Sequence, residues 1–174
     1  NGGVLRAAHN NAFGTTAGGV TVANGAAVEL TGNIAVGAEA LSLDGTGISS
    51  GGALRNVSGN NSWAGSVTLP ASARINSDAG VLTLSGTILE SGGGTKTLTF
   101  GGVAGINVTG PIGPGGTSID IAKDGTGTTT FSGTNTYNGS TTISGGVLRI
   151  DNVNSLPSGN VQINGGVLGL GAAD

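Results

Sequence analysis

Cysteine and methionine are both missing from the 174 residues, and His9 is the single histidine. Without cysteine the chain has no disulfide framework, no zinc–thiolate site and no thiol chemistry. Only 9% of the residues are charged, against about 25% in an average domain. The six basic residues are scattered singly, so the basic stripe that neutralises phosphates is missing and we expect no nucleic-acid partner.

Long apolar runs are also missing, so we expect no membrane insertion by this segment. One histidine and nine acidic residues leave little acid–base chemistry to assemble. We therefore expect that the chain is not an enzyme and has no catalytic, cofactor-binding or metal-binding residues.

Glycine is abundant, with 37 residues against 4 prolines, but it does not recur at every third position. This excludes a collagen triple helix. Hydrophobic residues make up 36% of the chain and mean hydropathy is +0.19. A disordered glycine-rich linker is more polar than this, so the composition favours a folded β-rich chain in which Val, Ile, Leu and Thr form the strands.

Internal repeats give the clearest signal in the sequence. The phrase Gly-Gly-Val-Leu begins at Gly2, Gly145 and Gly165, and the first two copies lie 143 residues apart. A second pair of similar phrases, 80–87 and 127–134, lies 47 residues apart. A unit of about 24 residues divides both spacings, which is the length of one coil of a three-sided parallel β-helix. We expect positions 47 apart, such as Leu84 and Phe131, to be equivalent two coils apart, and positions 143 apart to be equivalent six coils apart.

Short alternating runs bounded by Gly, Asn, Asp or Ser predict strands throughout the chain. They cover 20–22, 27–30, 41–43, 54–57, 67–69, 81–84, 98–100, 106–108, 119–121, 129–131, 141–143, 148–150, 161–163 and 168–170. Such an all-β pattern fits an antiparallel sandwich or barrel, or a β-solenoid. The Asn-Gly pairs recur at fixed places within the repeats rather than midway between strands, so we favour a solenoid of about 6–7 coils in one segment, 1–174. The Pro/Gly-rich stretch 110–116 predicts a loop that leaves the coil.

Alternation also predicts which side chains face the core. Arg149, Thr83, Thr130 and Gln162 are expected to point outward. The residues expected to point inward are Leu82, Leu84, Leu98, Phe100, Phe131, Leu148, Ile150, Val161 and Ile163.

A few residues could carry chemistry, and each also has a structural interpretation. His9 could serve a catalytic triad or lie in a surface turn. Asp120 and Asp124 could form the carboxylate pair of a glycosidase, or cap turns. Trp63 could stack on a sugar, or cover the coil. We favour the structural interpretation for each of them.

Residues 123–150 resemble the autotransporter-associated β-strand repeat, also called the passenger-associated transport repeat. Its pattern begins with Lys and Gly-x-Gly, continues with Ser-Gly-x-Asn-x-Tyr-x-Gly and Thr-Thr, and ends with Gly-Gly-x-Leu. The positions that fill it are Lys123, Gly125, Gly127, Ser132, Gly133, Asn135, Tyr137, Gly139, Thr141, Thr142, Gly145, Gly146 and Leu148. Residues 151–170 resemble the usual continuation and 1–30 resemble a degenerate copy of it. Thr129 departs from the pattern, because the family usually has leucine there, and would bury a hydroxyl in the core.

The resemblance implies a right-handed parallel β-helix in the passenger of a type V secreted protein, whose parent chain continues into a C-terminal β-barrel. The chain starts and stops within a phrase, so we expect a piece of a longer passenger. The implied role is a structural stalk segment of a surface protein or adhesin that supports secretion, folding and display. The implied location is extracellular or on the bacterial cell surface, anchored to the outer membrane.

Two alternatives to the stalk stay open at this point: a polysaccharide-active β-helix and a carbohydrate-binding one. The expected partners are a host or neighbouring-cell surface or a polysaccharide. End-to-end self-association is also expected, because a solenoid without caps exposes strand edges.

Overall fold

The computed structural model describes residues 2–113 and 116–171, which form nineteen β-strands and no α-helix. A single 3₁₀ turn lies at Ile48–Ser50. The strands are β1 Val4–Ala7, β2 Val20–Val22, β3 Ala27–Leu30, β4 Ala35–Val36, β5 Leu41–Leu43, β6 Leu54–Asn56, β7 Asn61–Trp63, β8 Val67–Leu69, β9 Ala73–Ser77, β10 Val81–Leu84, β11 Ile88–Glu90, β12 Thr95–Gly102, β13 Gly105–Val108, β14 Ser118–Lys123, β15 Thr128–Phe131, β16 Thr141–Ile143, β17 Val147–Ile150, β18 Val161–Ile163 and β19 Val167–Leu170.

The strands build three parallel sheets that the chain visits in rotation. The eight-stranded sheet has the order β1-β3-β6-β9-β12-β14-β16-β18, the seven-stranded sheet β4-β7-β10-β13-β15-β17-β19, and the four-stranded sheet β2-β5-β8-β11. Each strand is therefore stacked on the strand one coil earlier, which makes a β-solenoid of about seven turns. The predicted all-β, parallel solenoid is confirmed.

The predicted period is confirmed over 47 residues and wrong over 143. Leu84 faces Val108, and Val108 faces Phe131, so positions 47 apart are equivalent two coils apart. The Gly145 and Gly165 phrases also stack directly, one coil apart. The Gly2 phrase, however, opens β1 in the eight-stranded sheet, whereas the Gly145 phrase opens β17 in the seven-stranded sheet. The reason is that the coils differ in length: the advance is 27 residues from β4 to β7 but 19 from β15 to β17.

The core consists of apolar columns that run along the solenoid axis, because each inward side chain lies on the inward side chain of the previous coil. Seven of the nine residues predicted to point inward are buried: Leu82, Leu84, Leu98, Phe100, Phe131, Leu148 and Ile150. Val161 and Ile163 also take the predicted inward positions, but they are not buried, since Val161 is partly exposed and Ile163 is 53% exposed. Both occupy inward positions of β18, which has no strand stacked on its far side among the described residues.

The outward residues follow the prediction. Arg149 and Gln162 are exposed, and Thr83 and Thr130 are partly exposed. Thr129 takes the place of a core apolar residue between Ile106 and Leu148 and is 1% exposed, as expected.

The four-stranded sheet forms the third wall of the solenoid, and its regular strands end before residue 112. The four-stranded sheet ends at β11, and Ile112 adds only an isolated bridge to Ile88. Ile112 is fully buried, and the Ile88 amide donates a hydrogen bond to the Pro111 carbonyl at 2.9 Å. The prediction that 110–116 leaves the coil is therefore wrong for 110–113, while 114–115 lie outside the described residues. Proline is tolerated here because its carbonyl, and not an amide donor, forms the contact.

One corner is built from a glycine column. Gly65, Gly86, Gly110 and Gly133 stack on successive coils, and a Cβ on any of them would collide with a backbone oxygen of the coil beneath. At Gly133 that Cβ would lie 2.5 Å from the Gly110 carbonyl oxygen. Only glycine allows the coils to approach this closely at the corner.

Candidate functional site: the transport-repeat segment

Lys123 points into the core, although it carries a charge. It follows Ile119 and Ile121 on β14 and lies between Phe100 of the coil beneath and Ile143 of the coil above. Only 1% of Lys123 is exposed, and its Nζ donates to the carbonyl oxygens of Gly125 and Gly145. The ammonium group therefore ties two coils together at the corner.

The environment of Lys123 disfavours its charge. Burial lowers the pKa of the Lys123 amine, and the nearby Arg74 guanidinium also lowers this pKa, while the Asp124 carboxylate raises it. The net direction is downward, because removal from water penalises an ammonium ion more than one neighbouring carboxylate favours it.

Asn135 replaces a strand on the third wall. Its Oδ1 accepts the Ile112 amide at 2.8 Å from the coil beneath, and its Nδ2 donates to the Ser155 carbonyl at 2.6 Å in the coil above. Its own backbone amide donates to the Asn154 carbonyl at 2.9 Å. The side chain is 5% exposed. One amide group thus links three successive coils where the described residues contain no sheet ladder.

Tyr137 and Thr141 form a second buried pair in the same coil. Tyr137 is 2% exposed, and its hydroxyl lies 2.8 Å from Thr141 Oγ1. Burial raises the pKa of the Tyr137 phenol, and the hydrogen bond from Thr141 opposes that shift. The ring fills the volume that an apolar strand residue would fill, and the hydroxyl has a partner, as buried tyrosines require.

The glycines of the repeat lie where coils touch backbone to backbone. A Cβ on Gly125, Gly127 or Gly139 would collide with a carbonyl group of the coil beneath, and one on Gly145 would lie 2.6 Å from the Asp124 carbonyl oxygen. Gly146 has a φ of 60°, a conformation that L side chains rarely adopt. The residues that define the repeat are therefore mainly packing and corner residues.

The outward carboxylates of this segment are each held by a partner of their own. Asp120 Oδ1 accepts the amide of Ser140 at 2.7 Å and its hydroxyl at 3.0 Å. Asp124 is bound by both terminal nitrogens of Arg74, at 2.6 and 2.8 Å. The two carboxylates therefore contact different partners in different coils.

Trp63 lies in the core and not on the surface. It is fully buried between Val36 and Leu84, and its Nε1 donates to the Glu39 carbonyl at 2.7 Å. Its ring centroid lies 5.1 Å from that of Phe13. The hypothesis that Trp63 stacks on a sugar is therefore wrong. The Asn60-Asn61-Ser62 context suggested a polar surround, but Asn61 also points inward in β7.

His9 lies in an exposed turn, where its Nδ1 accepts the Asn11 amide at 3.2 Å. Within 2–113 and 116–171, no three His, Asp or Glu side chains cluster in a way that could hold a metal ion. No helix in this part of the chain is long and apolar enough to cross a membrane. A cavity of about 290 Å³ opens at the first coil, where Leu5, Val20 and Val28 line an unstacked end of the core.

Residues 121–150 match the family model described as Passenger-associated-transport-repeat. The match covers the segment that contains Lys123, Asn135 and Tyr137. A search of the curated proteins found no match, and a search of the solved structures found none either. The family implies an extracellular or surface-exposed location. Residues 121–150 thus form a passenger-associated transport repeat within a β-solenoid, and this combination is that of a segment of an autotransporter passenger.

Proposed function

We propose that the chain is a structural segment of the extracellular stalk of an autotransporter surface protein or adhesin, held at the outer membrane through its parent protein. In this role it supports secretion, folding and display of the passenger. The observation that carries the proposal is that Lys123, Asn135 and Tyr137, the large polar side chains of the repeat, all point inward, and that Lys123 and Asn135 join coils.

The mechanical role follows from the stacking. Each coil buries its apolar residues only against the coils above and below, so the segment gains stability as coils are added and holds its shape without a ligand. Neighbouring coils approach to backbone contact at the Gly65–Gly133 column, which leaves little room for bending at that corner. A stiff rod of this kind displaces a functional domain away from the cell.

An enzymatic role is not part of the proposal. The outward carboxylates Asp120 and Asp124 are each engaged by a different partner, Ser140 and Arg74, which gives each a structural role. The test is to assay the purified chain against pectin, alginate and xylan, with and without calcium. Turnover that is lost in Asp120→Asn would overturn the structural proposal.

Partners are proposed at the two ends of the stack. Leu5 is 54% exposed at the first coil, and Val167 and Leu170 are 56% and 78% exposed at the last. These side chains occupy inward columns or adjoin them, so another coil stacked on either end would cover them. We propose concentration-dependent end-to-end association, which light scattering over a dilution series measures. A host or neighbouring-cell surface or a polysaccharide is a further partner of the displayed protein.

Display itself can be tested with a matched pair of asparagines. The chain is placed between an N-terminal epitope tag and the membrane anchor of an autotransporter in a Gram-negative host, and antibody binding to intact cells is measured. Asn135→Ala removes the buried link between three coils and should reduce display, whereas Asn138→Ala removes a single exposed hydrogen bond, to the Thr117 carbonyl of the coil beneath, and should reduce it much less. Equal display of the two variants at equal expression would contradict the proposed role.

A further inference from the structure

A line of alternating charge runs up the outer face of the eight-stranded sheet. The chain has six basic and nine acidic residues, and three of each lie on this line. We call them the charge ladder: Arg6, Glu29, Arg55, Asp78, Arg74 and Asp124. In a chain with so few charges, this concentration on one wall requires an explanation.

The lower part of the ladder is continuous from one coil to the next. Arg6 donates to Glu29 Oε2 at 2.6 and 2.9 Å, and Arg55 donates to Glu29 Oε1 at 3.2 Å from the opposite side. Arg55 also binds Asp78 Oδ2 at 2.6 Å, and Asn76 donates to Asp78 Oδ1 at 2.8 Å. The Glu29 side chain is only 6% exposed, so water screens its contacts weakly.

The upper part of the ladder crosses a coil that has no side chain in the way. Arg74 leaves β9, passes over Gly101 of β12 and holds Asp124 with two nitrogens, at 2.6 and 2.8 Å. A Cβ on Gly101 would collide with the Arg74 guanidinium and lie 2.6 Å from Asn76 Oδ1. Glycine at position 101 is therefore what allows an arginine to reach a carboxylate two coils away.

The apolar core alone cannot fix the register of these coils. Shifting a strand by two residues keeps every side chain on its own face, and the inward columns contain interchangeable residues such as Leu54, Ile75 and Phe100. Charges that face each other across strands do distinguish the registers, because opposite charges stabilise and misplaced or like charges destabilise. Glu29 between two arginines, and Arg55 between two carboxylates, are satisfied together in one register only.

We propose that the charge ladder is an electrostatic register lock that selects one strand register between successive coils, over the first six coils, while the solenoid forms. The hydrophobic columns supply most of the stability, and the ladder supplies the choice between alignments. This role is separate from display and is tested on the purified chain alone.

The experiment uses introduced cysteines as register reporters, since the chain has no cysteine of its own. Ser42 and Thr68 face each other on β5 and β8 in the same two coils that Glu29 and Arg55 join, but on the four-stranded sheet. Ser42→Cys with Thr68→Cys therefore reports the native register, and Ser42→Cys with Ser66→Cys reports a slip of two residues. Facing Cα atoms in adjacent strands lie within the distance a disulfide spans, whereas positions two residues off do not.

Each reporter pair is combined with Arg55→Gln, which breaks the ladder, or with the control Arg149→Gln. Arg149 binds Asp151 at 2.6 Å within its own coil, so its loss removes an ion pair without unlinking coils. The proteins are unfolded in denaturant, refolded at low salt and oxidised. Arg55→Gln should move the ratio of native to slipped cross-links by about threefold or more, the effect expected of a coupled contact. Arg149→Gln should leave the ratio unchanged. About 1 M salt should shift the parent chain only part of the way toward the Arg55→Gln result, because the Debye length falls to ~3 Å around the exposed arginines while the buried Glu29 is screened less.

Equal ratios in Arg55→Gln and Arg149→Gln would overturn the register lock, even if Arg55→Gln lowers the thermal midpoint, because lost stability alone does not move cross-links to the slipped pair. If Arg55→Gln does not refold, Arg55→Lys keeps the charge and supplies the same test with a smaller expected shift. For the upper part, Gly101→Ala should lower the thermal midpoint more in the parent than in an Arg74→Gln background, where only the contact with Asn76 remains. Gly37→Ala, where a Cβ meets open space, is the control. If Gly101→Ala lowers the thermal midpoint equally in both backgrounds, the upper part of the charge ladder is not part of the register lock.

Discussion

Coil stacking predicts that identical leucines in adjacent coils differ greatly in importance. Leu148 and Leu168 occupy the same position of the Gly-Gly-Val-Leu phrase and face each other directly. Leu148 is fully buried because it also lies on Thr129 of the coil beneath, whereas Leu168 is partly exposed on the last strand of its sheet. Leu148→Ala should therefore cost about 2–5 kcal/mol, the usual range for a leucine truncated in a packed core.

For a chain of this size each kcal/mol lowers the thermal midpoint by ~2–4 °C, so Leu148→Ala should lower it by ~4–20 °C. Leu168→Ala loses contacts on one side only, and its coil opens locally before the stack does, so the global midpoint should hardly move. Thermal unfolding of dilute protein, followed by circular dichroism, measures both. Equal losses in the two variants would refute the argument that burial in this fold comes from the neighbouring coils on both sides.

Three further predictions concern other parts of the core. Because the pKa of Lys123 is lowered in the folded chain, the unfolded chain binds more protons between that pKa and 10.5. The contribution of Lys123 to the free energy of unfolding should therefore rise with pH across this window, and Lys123→Met should lack this rise. A pH series of urea titrations measures the slopes of the two proteins. Gly133→Ala should destabilise the fold by about 1–3 kcal/mol, because the new Cβ contacts the Gly110 carbonyl. Gly37→Ala, with open space for its Cβ, should not destabilise it. Equal denaturation midpoints for the two variants would contradict the tight packing of the glycine column. Trp63 is the single tryptophan, so its fluorescence should be blue-shifted and insensitive to acrylamide and to added oligosaccharides, and strong quenching in the folded protein would place the ring at the surface.

Alternation was sufficient to predict most strands and their inward faces. Where apolar residues alternate with polar ones, as from Val81 to Leu84, the bounds and the buried side chains could be read directly. The same rule identifies Lys123 as inward, because it continues the series Ile119 and Ile121 on β14. The positive charge argues for the opposite face, and in this case periodicity outweighs charge because Nζ reaches two corner carbonyls.

Five strands were not predicted: β1, β4, β7, β9 and β11. In β7 the reason is that an inward residue is polar. Asn61 is 1% exposed in that strand and donates to the side chain of Asn56, which in turn donates to Ser77 Oγ at 3.1 Å. Such a buried amide network satisfies itself across two coils, but in the sequence its members look like turn residues.

The coils of the transport repeat are short, and side chains replace their third strand. From Lys123 to Ile143 the advance is 20 residues, against 23 from Phe100 to Lys123 in the preceding coil. Without a third ladder, the backbone groups of that wall need other partners, and Asn135 supplies them to the coils on both sides. Its link is therefore local to the repeat but acts along the axis, since removing one side chain leaves an amide and a carbonyl unpaired in two different coils. The contacts of Lys123 and Asn135 join coils, and this accounts for the inward direction of these characteristic residues of the repeat.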